Sequence, residues 1–220
     1  MNARLARFGG LAALALTALS FALNGSVPGN NSSGTEAAAW FDDHTTRHVL
    51  SAWTGGIAAI ALISFFFAVR KRLEDHAEPQ LVRMSSTLSM IVGTLLLLAN
   101  APIMAGAMTA NDRDLPLPPA SAEVFLHLGI GIYLVMVIAL GGYLAVTGIA
   151  MVRAGSLPSP LGYLSILGAV AALLPLLGFL GFVLVLPLWT IATTIWLLRR
   201  DHAKDDEIRR PGEPGAAPSP

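Results

Sequence analysis

The chain has 220 residues, of which 54% are hydrophobic and 13% charged, with a mean hydropathy of +0.64, no net charge and no cysteine. A soluble domain carries about 25% charged residues, so most of this chain is built for lipid, and the zero balance leaves no basic face for nucleic acid. The missing cysteines exclude disulfides, thiolate metal sites, cysteine nucleophiles and haem attachment through a CxxCH motif.

Taken in order, the apolar runs predict six membrane-spanning helices, at about 5–23, 48–69, 85–107, 122–152, 161–177 and 182–198. The first follows Arg4 and Arg7 and is read as a retained helix. Its shape is also that of a secretory signal, with Ala18-Leu19-Ser20 as the cleavage site. Residues 24–39 are a Gly/Ser/Asn-rich loop. The stretch from Trp40 to Arg72 then orients the chain. It opens on Asp42, Asp43, His44 and His48, runs uncharged from Val49 to Val69, and stops at Arg70, Lys71 and Arg72. An uncharged run of about 20 residues, at about 1.5 Å each, crosses the roughly 30 Å hydrocarbon core. The basic stop holds its far end in the cytoplasm.

A short charged loop covers 70–84. The third helix contains Asn100 and Pro102, and the proline is expected to bend it or loosen its outer end. Prolines at 116, 118 and 119 stiffen the next loop. The fourth helix is longer than a bilayer needs and must tilt or project. SLPSP at 156–160 is a turn, Gly178 and Gly181 make the last hairpin, and 201–220 is a polar, Pro/Gly-rich tail expected to be disordered.

With the N-terminus inside, the cytoplasmic segments hold twelve of the fourteen Lys and Arg residues, and only Arg47 and Arg113 lie outside. That bias predicts an N-in, C-in topology. Symmetry between the halves is weak, so the inverted repeat of secondary transporters is missing.

Three features occur together: the W-F-x-D-H-x-x-R entry at 40–47, the basic stop after it, and SLPSPLGYLSILG followed by LPLWT over 156–190. In these the chain resembles a broad group of six-helix bacterial membrane proteins of the DUF4386-like kind. The resemblance implies a six-helix fold in a bacterial plasma membrane, and it carries no activity with it.

Polar groups inside the membrane are costly and mark candidate sites. Asn100 and His127, counted from opposite ends of their helices, fall at similar depth in the outer half. At 100° per residue Asn100 shares a side with Ser89, Gly93 and Ala107. His127 shares one with Glu123, Gly131, Gly141 and Ala145, and His48 with Ser51 and Gly55. Small residues mark helix contacts in lipid. Asn100 and His127 are therefore expected to face each other across neighbouring helices, within an outer polar pocket of His48, Asn100, Glu123 and His127.

Above that pocket, Asp42, Asp43 and His44 form an outer acidic and imidazole cap, suited to the positive end of a helix. His44 and His48 would share a face, as metal ligands do, if the helix began early. The competing interpretation is packing glue between helices. Trp53, Trp189 and Trp196 are read as interfacial or packing aromatics, and His76 and His202 as solvated. No G-x-S-x-G elbow or phosphate loop is present.

Three functions follow, in order of preference. The first is a non-enzymatic structural, regulatory or small-molecule- or lipid-binding bundle that needs no cofactor or metal. Its partners are the lipid bilayer and either another membrane protein or a second copy of itself. The second is a small-solute transporter or channel. The third is a membrane-embedded metal or haem protein ligated by His48 and His127.

Overall fold

The computed structural model describes residues 3–29, 31–111, 117–155, 159–174 and 184–209, and its regular elements are all helical. They are α1 (Ala3–Asn24), α2 (Gly34–Asp43), α3 (Thr45–Glu74), α4 (Pro79–Ala110), α5 (Pro119–Ala154), α6 (Ser159–Leu173) and α7 (Leu186–Arg209). The all-α expectation holds among these residues. By length and composition α3, α4 and α5 are able to cross a membrane. Shorter apolar stretches lie at Phe8–Asn24, Ser159–Leu173 and Leu186–Leu198.

Four expectations need correction. Residues 24–39 are not all loop, because α2 occupies 34–43. Ser33 caps it: its hydroxyl accepts from the Glu36 amide at 3.3 Å, and the Ser33 amide donates to the Glu36 carboxylate at 2.8 Å. Such a reciprocal box satisfies two otherwise orphaned donors and nucleates a short helix. The charged 70–84 loop shrinks to the residues between Glu74 and Pro79, since Arg70 pairs with Glu74 one turn on at 2.8 Å and donates to Ser86 on α4 at 2.9 Å. α4 runs unbroken past Pro102 to Ala110, with the proline buried. The expected tail is helical as far as Arg209, in a stretch that includes the helix formers Ala203, Lys204 and Glu207. Gly178, Gly181, most of the 156–160 turn and the end of the tail lie outside the described residues.

Neighbours in sequence are mostly neighbours in space: α1 packs on α3, α3 on α4, α4 on α5 and α5 on α6, while α7 returns to α1 and α6. The core is aromatic at its centre. The Phe66 and Tyr143 rings lie 4.3 Å apart, and the Trp189 edge meets both Phe65 and Tyr143 at 5.9 Å. Trp189 is fully buried, which its polar N–H permits because it donates to Ser165 Oγ at 2.6 Å, and that hydroxyl donates to Leu161 C=O at 2.8 Å. Trp53, by contrast, is 59% exposed on the outside of α3.

Helices in lipid gain little from the hydrophobic effect and rely on close packing. One close approach is between α5 and α6, where a Cβ added at Gly148 would stand 2.8 Å from Gly162 C=O. Only glycine lets the two backbones meet there.

At the end of the bundle where α1 stops and α3 starts, α2 lies across α4 and α5. Its buried face, Ala37 and Phe41, joins Ala107, Leu117, Ala122 and Leu126 in a second small core. The Phe41 ring fills the space that a side chain at Gly106 would need.

Candidate functional site

The polar chemistry of the molecule converges where α1 meets α3. Arg47 donates to the last-turn carbonyl of Ala22 at 3.3 Å, satisfying an acceptor that a helix end leaves open. One residue on, His48 is 1% exposed, and its Nε2 lies 2.8 Å from Trp40 C=O. A carbonyl only accepts, so Nε2 carries the proton. Nδ1 lies 3.4 Å from Asn24 Oδ1, so in this tautomer two acceptors face each other, and the Trp40 ring covers the imidazole at a centroid distance of 4.0 Å. One turn further, the Ser51 hydroxyl donates to Ser20 C=O at 2.8 Å and Ser20 Oγ bonds back to Ser51 C=O at 2.9 Å. This clasp fixes α1 against α3 and ties α2 to both.

Beside the clasp a crevice of about 270 Å³ opens between α1, α4 and α5. Each helix presents one stripe to it: Thr17, Ser20, Phe21 and Asn24 from α1, Leu96, Ala99, Asn100 and Ile103 from α4, and Leu126, Gly129, Ile130, Tyr133 and Leu134 from α5. These spacings of three and four are what places side chains on one helical face. Gly55 forms the α3 wall, Val27 stands at the end beside α2, and Phe21 meets Tyr133 edge-on at 6.1 Å. Among the described residues no side chain of the lining carries a charge. Of the polar groups of α1, Ser20 and Asn24 are also engaged in the clasp with α3, and the walls on α4 and α5 are apolar apart from Asn100 and Tyr133.

Of the expected site residues, Asn100 alone lines this crevice. Its amide donates to Leu96 C=O at 2.7 Å, and its side chain packs directly on Gly55. At Gly93 and Asn100 the small-residue side of α4 therefore faces α3, where Gly93 likewise meets Ile63, while Ala107 further on packs with α2 and α5. His127 is half-buried, Glu123 is exposed, and neither makes a hydrogen bond or ion pair among the described residues. Asn100 and His127 are accordingly not hydrogen-bonded to each other. The packed position on α5 is Gly129, against Ala99 C=O and Ile103, whereas Gly131 has open space around it.

His48 belongs to the clasp, two helical turns from Gly55. Asp42, Asp43 and His44 are all exposed. The two aspartates end α2 and do not cap α3. His44 sits at the cap position of α3 without a side-chain cap bond. α3 begins at Thr45 with His44 at its cap, exposed where His48 is buried, and among the described residues no three His, Asp or Glu side chains come together as a ligand set.

Sequence reasoning missed Thr17, Ser20, Asn24 and Tyr133. The signal was there in α1, a polar stripe at i, i+3 and i+7 within an apolar helix. No protein-family model matches this chain, and no curated protein and no solved structure matches it.

Proposed function

We propose that this chain is a six-span protein of the bacterial plasma membrane, with both termini in the cytoplasm, that binds a small amphipathic molecule in the α1–α4–α5 crevice and performs no chemistry on it. The topology rests on the Lys and Arg distribution, which puts α2 and the clasp on the extracytoplasmic side. It agrees with the six-helix bacterial proteins that the sequence resembles. The absence of a catalytic motif supports a binding role, and a second membrane protein or a second copy is the natural recipient of what is bound.

The observation that carries the reading is the lining of the crevice. Mostly apolar walls carry a few polar groups, Thr17, Ser20 and Asn24 from α1, Asn100 from α4 and Tyr133 from α5, which matches the usual composition of small-molecule sites. Native mass spectrometry tests it. Protein released from membranes in mild detergent retains a small amphiphile. Gly129→Leu loses it at least tenfold, because a Cβ at Gly129 makes only ordinary contacts at 3.4 Å and the rest of the side chain projects into the crevice. Equal retention by both proteins rejects the site.

A further inference from the structure

Asn100 stands in two walls at once. It lines the crevice on one side, and on the other it lines an apolar groove of about 360 Å³ between α3 and α4 on the outer surface of the bundle. α3 offers no side chain at the crossing. Gly55 faces the crevice, Gly56 faces the groove, and the Asn100 amide is packed on Gly55. Next to it, Pro102 has no N–H, which deprives Leu98 C=O of its helical donor, and Leu98 lines the groove. A membrane-facing groove, a freed carbonyl and a one-residue partition thus lie in a row.

We propose that the crevice is loaded sideways from the membrane through the α3–α4 seam, with Asn100 as the movable partition, and that its ligand is an uncharged single-chain amphiphile with a hydroxyl or carbonyl head. The proposal rests on the crevice being a binding site. The route follows from position: among the described residues Asn100 is the one side chain common to both linings, and it rests on Gly55, so turning it away is the step that opens the partition. The described residues of both linings carry no charge, which selects an uncharged head, since an ionised group finds no partner among them. The head finds a hydrogen-bond acceptor at Leu98 C=O on the way in, and inside it meets Thr17, Asn24 and Asn100, Ser20 having given its proton to Ser51. A crevice near the lower bound of about 300 Å³ for ligand pockets admits one chain, not a diacyl lipid.

The test uses the full chain in phosphatidylcholine vesicles with a diazirine-bearing hexadecanol, and the same probe as its carboxylate. Labelled peptides are mapped by mass spectrometry after short exposures. The alcohol labels residues 126–134, and the carboxylate labels them at least five-fold less. Gly56→Phe, whose Cβ meets only Leu97 at 3.5 Å and whose ring fills the groove, slows labelling at least five-fold. Asn100→Ala removes the partition and its bond to Leu96, and speeds labelling at least about two-fold, the factor for a net hydrogen bond at the weak end of the range. Gly131→Ala, in open space, labels like wild type.

Labelling that neither Gly56→Phe nor Asn100→Ala changes, but that Gly129→Leu still abolishes, overturns the lateral route and leaves the binding site standing. Labelling of 126–134 that Gly129→Leu does not change overturns both. Equal labelling by the carboxylate overturns the uncharged ligand. Should Gly56→Phe fail to fold, the Asn100→Ala rate decides alone, and an unchanged rate refutes the partition.

Discussion

Replacing Gly148 with alanine is the sharpest test of how this bundle is held together. The added methyl would stand 2.8 Å from Gly162 C=O, 2.9 Å from Ile166 Cγ1 and 2.9 Å from Ser165 Cβ. One of those atoms is backbone and another is a Cβ, so no side-chain rotation relieves the overlap and α5 must part from α6. Overpacking of this kind costs about 1–3 kcal/mol. The displacement also strains the Trp189–Ser165 bond, and an interhelical hydrogen bond in a membrane protein contributes about 0.6 kcal/mol, up to about 1.7. A loss of about 2–4 kcal/mol is expected, together with a shift in Trp189 fluorescence as its N–H loses Ser165. The assay is reversible unfolding in mixed micelles. Gly131→Ala serves as the reference, since no atom lies within 4 Å of its added methyl and alanine is the better helix former by about 0.5–1 kcal/mol. If Gly148→Ala is as stable as Gly131→Ala, the close α5–α6 crossing is refuted.

Three further outcomes are expected. Ser33→Ala removes the capping box and costs α2 about 0.5–2 kcal/mol, seen as faster amide exchange over 34–43 with the rest of the bundle unchanged; unchanged exchange there means that α2 is held by packing alone. Ser51→Ala breaks one direct bond of the α1–α3 clasp and leaves Ser20 with fewer partners, which lowers stability by about 0.6–1.7 kcal/mol and frees α1 for earlier proteolysis, whereas an unchanged digest removes the clasp. Because the chain has no native cysteine, single cysteines at 29 and 76 report topology in intact cells: an impermeant maleimide labels the first and not the second, and the reverse pattern inverts the proposed orientation.

Apolar run length and composition made the helical class readable without a structure, because a bilayer imposes both. The pairing of helix faces was not readable. Periodicity correctly put Asn100 on the small-residue side of α4, but a side that lets backbones approach does not name its neighbour, and the side faces Gly55 and Ile63 of α3. On α5 the small residues Gly131 and Gly129 lie on different faces, and only packing distinguishes the buried one from the one in open space. His48 stood out in the sequence as a polar group, but as a member of a pocket with Asn100, whereas it belongs to the clasp. Its partners, Trp40 C=O and Asn24, come from two other helices and left no spacing to read. α2 was legible in principle from the S-x-x-E box at 33–36, which the Gly and Asn content around it obscured. The stripe on α1 was legible too, but hydroxyls in an apolar helix ordinarily bond to their own backbone, and only the fold shows that this stripe lines a crevice.

The central claim is that the crevice holds an uncharged amphiphile. Thermal unfolding of the protein in nanodiscs, with and without added dodecanol, tests it most directly. A ligand that binds only the folded state stabilises it by RT ln(1 + [L]/Kd), about 2.7 kcal/mol at a hundred times Kd. Wild type should melt at a temperature that rises with dodecanol and does not rise with laurate, and Gly129→Leu should not respond to either. A rise of the same size in Gly129→Leu, or no rise in wild type, contradicts the account.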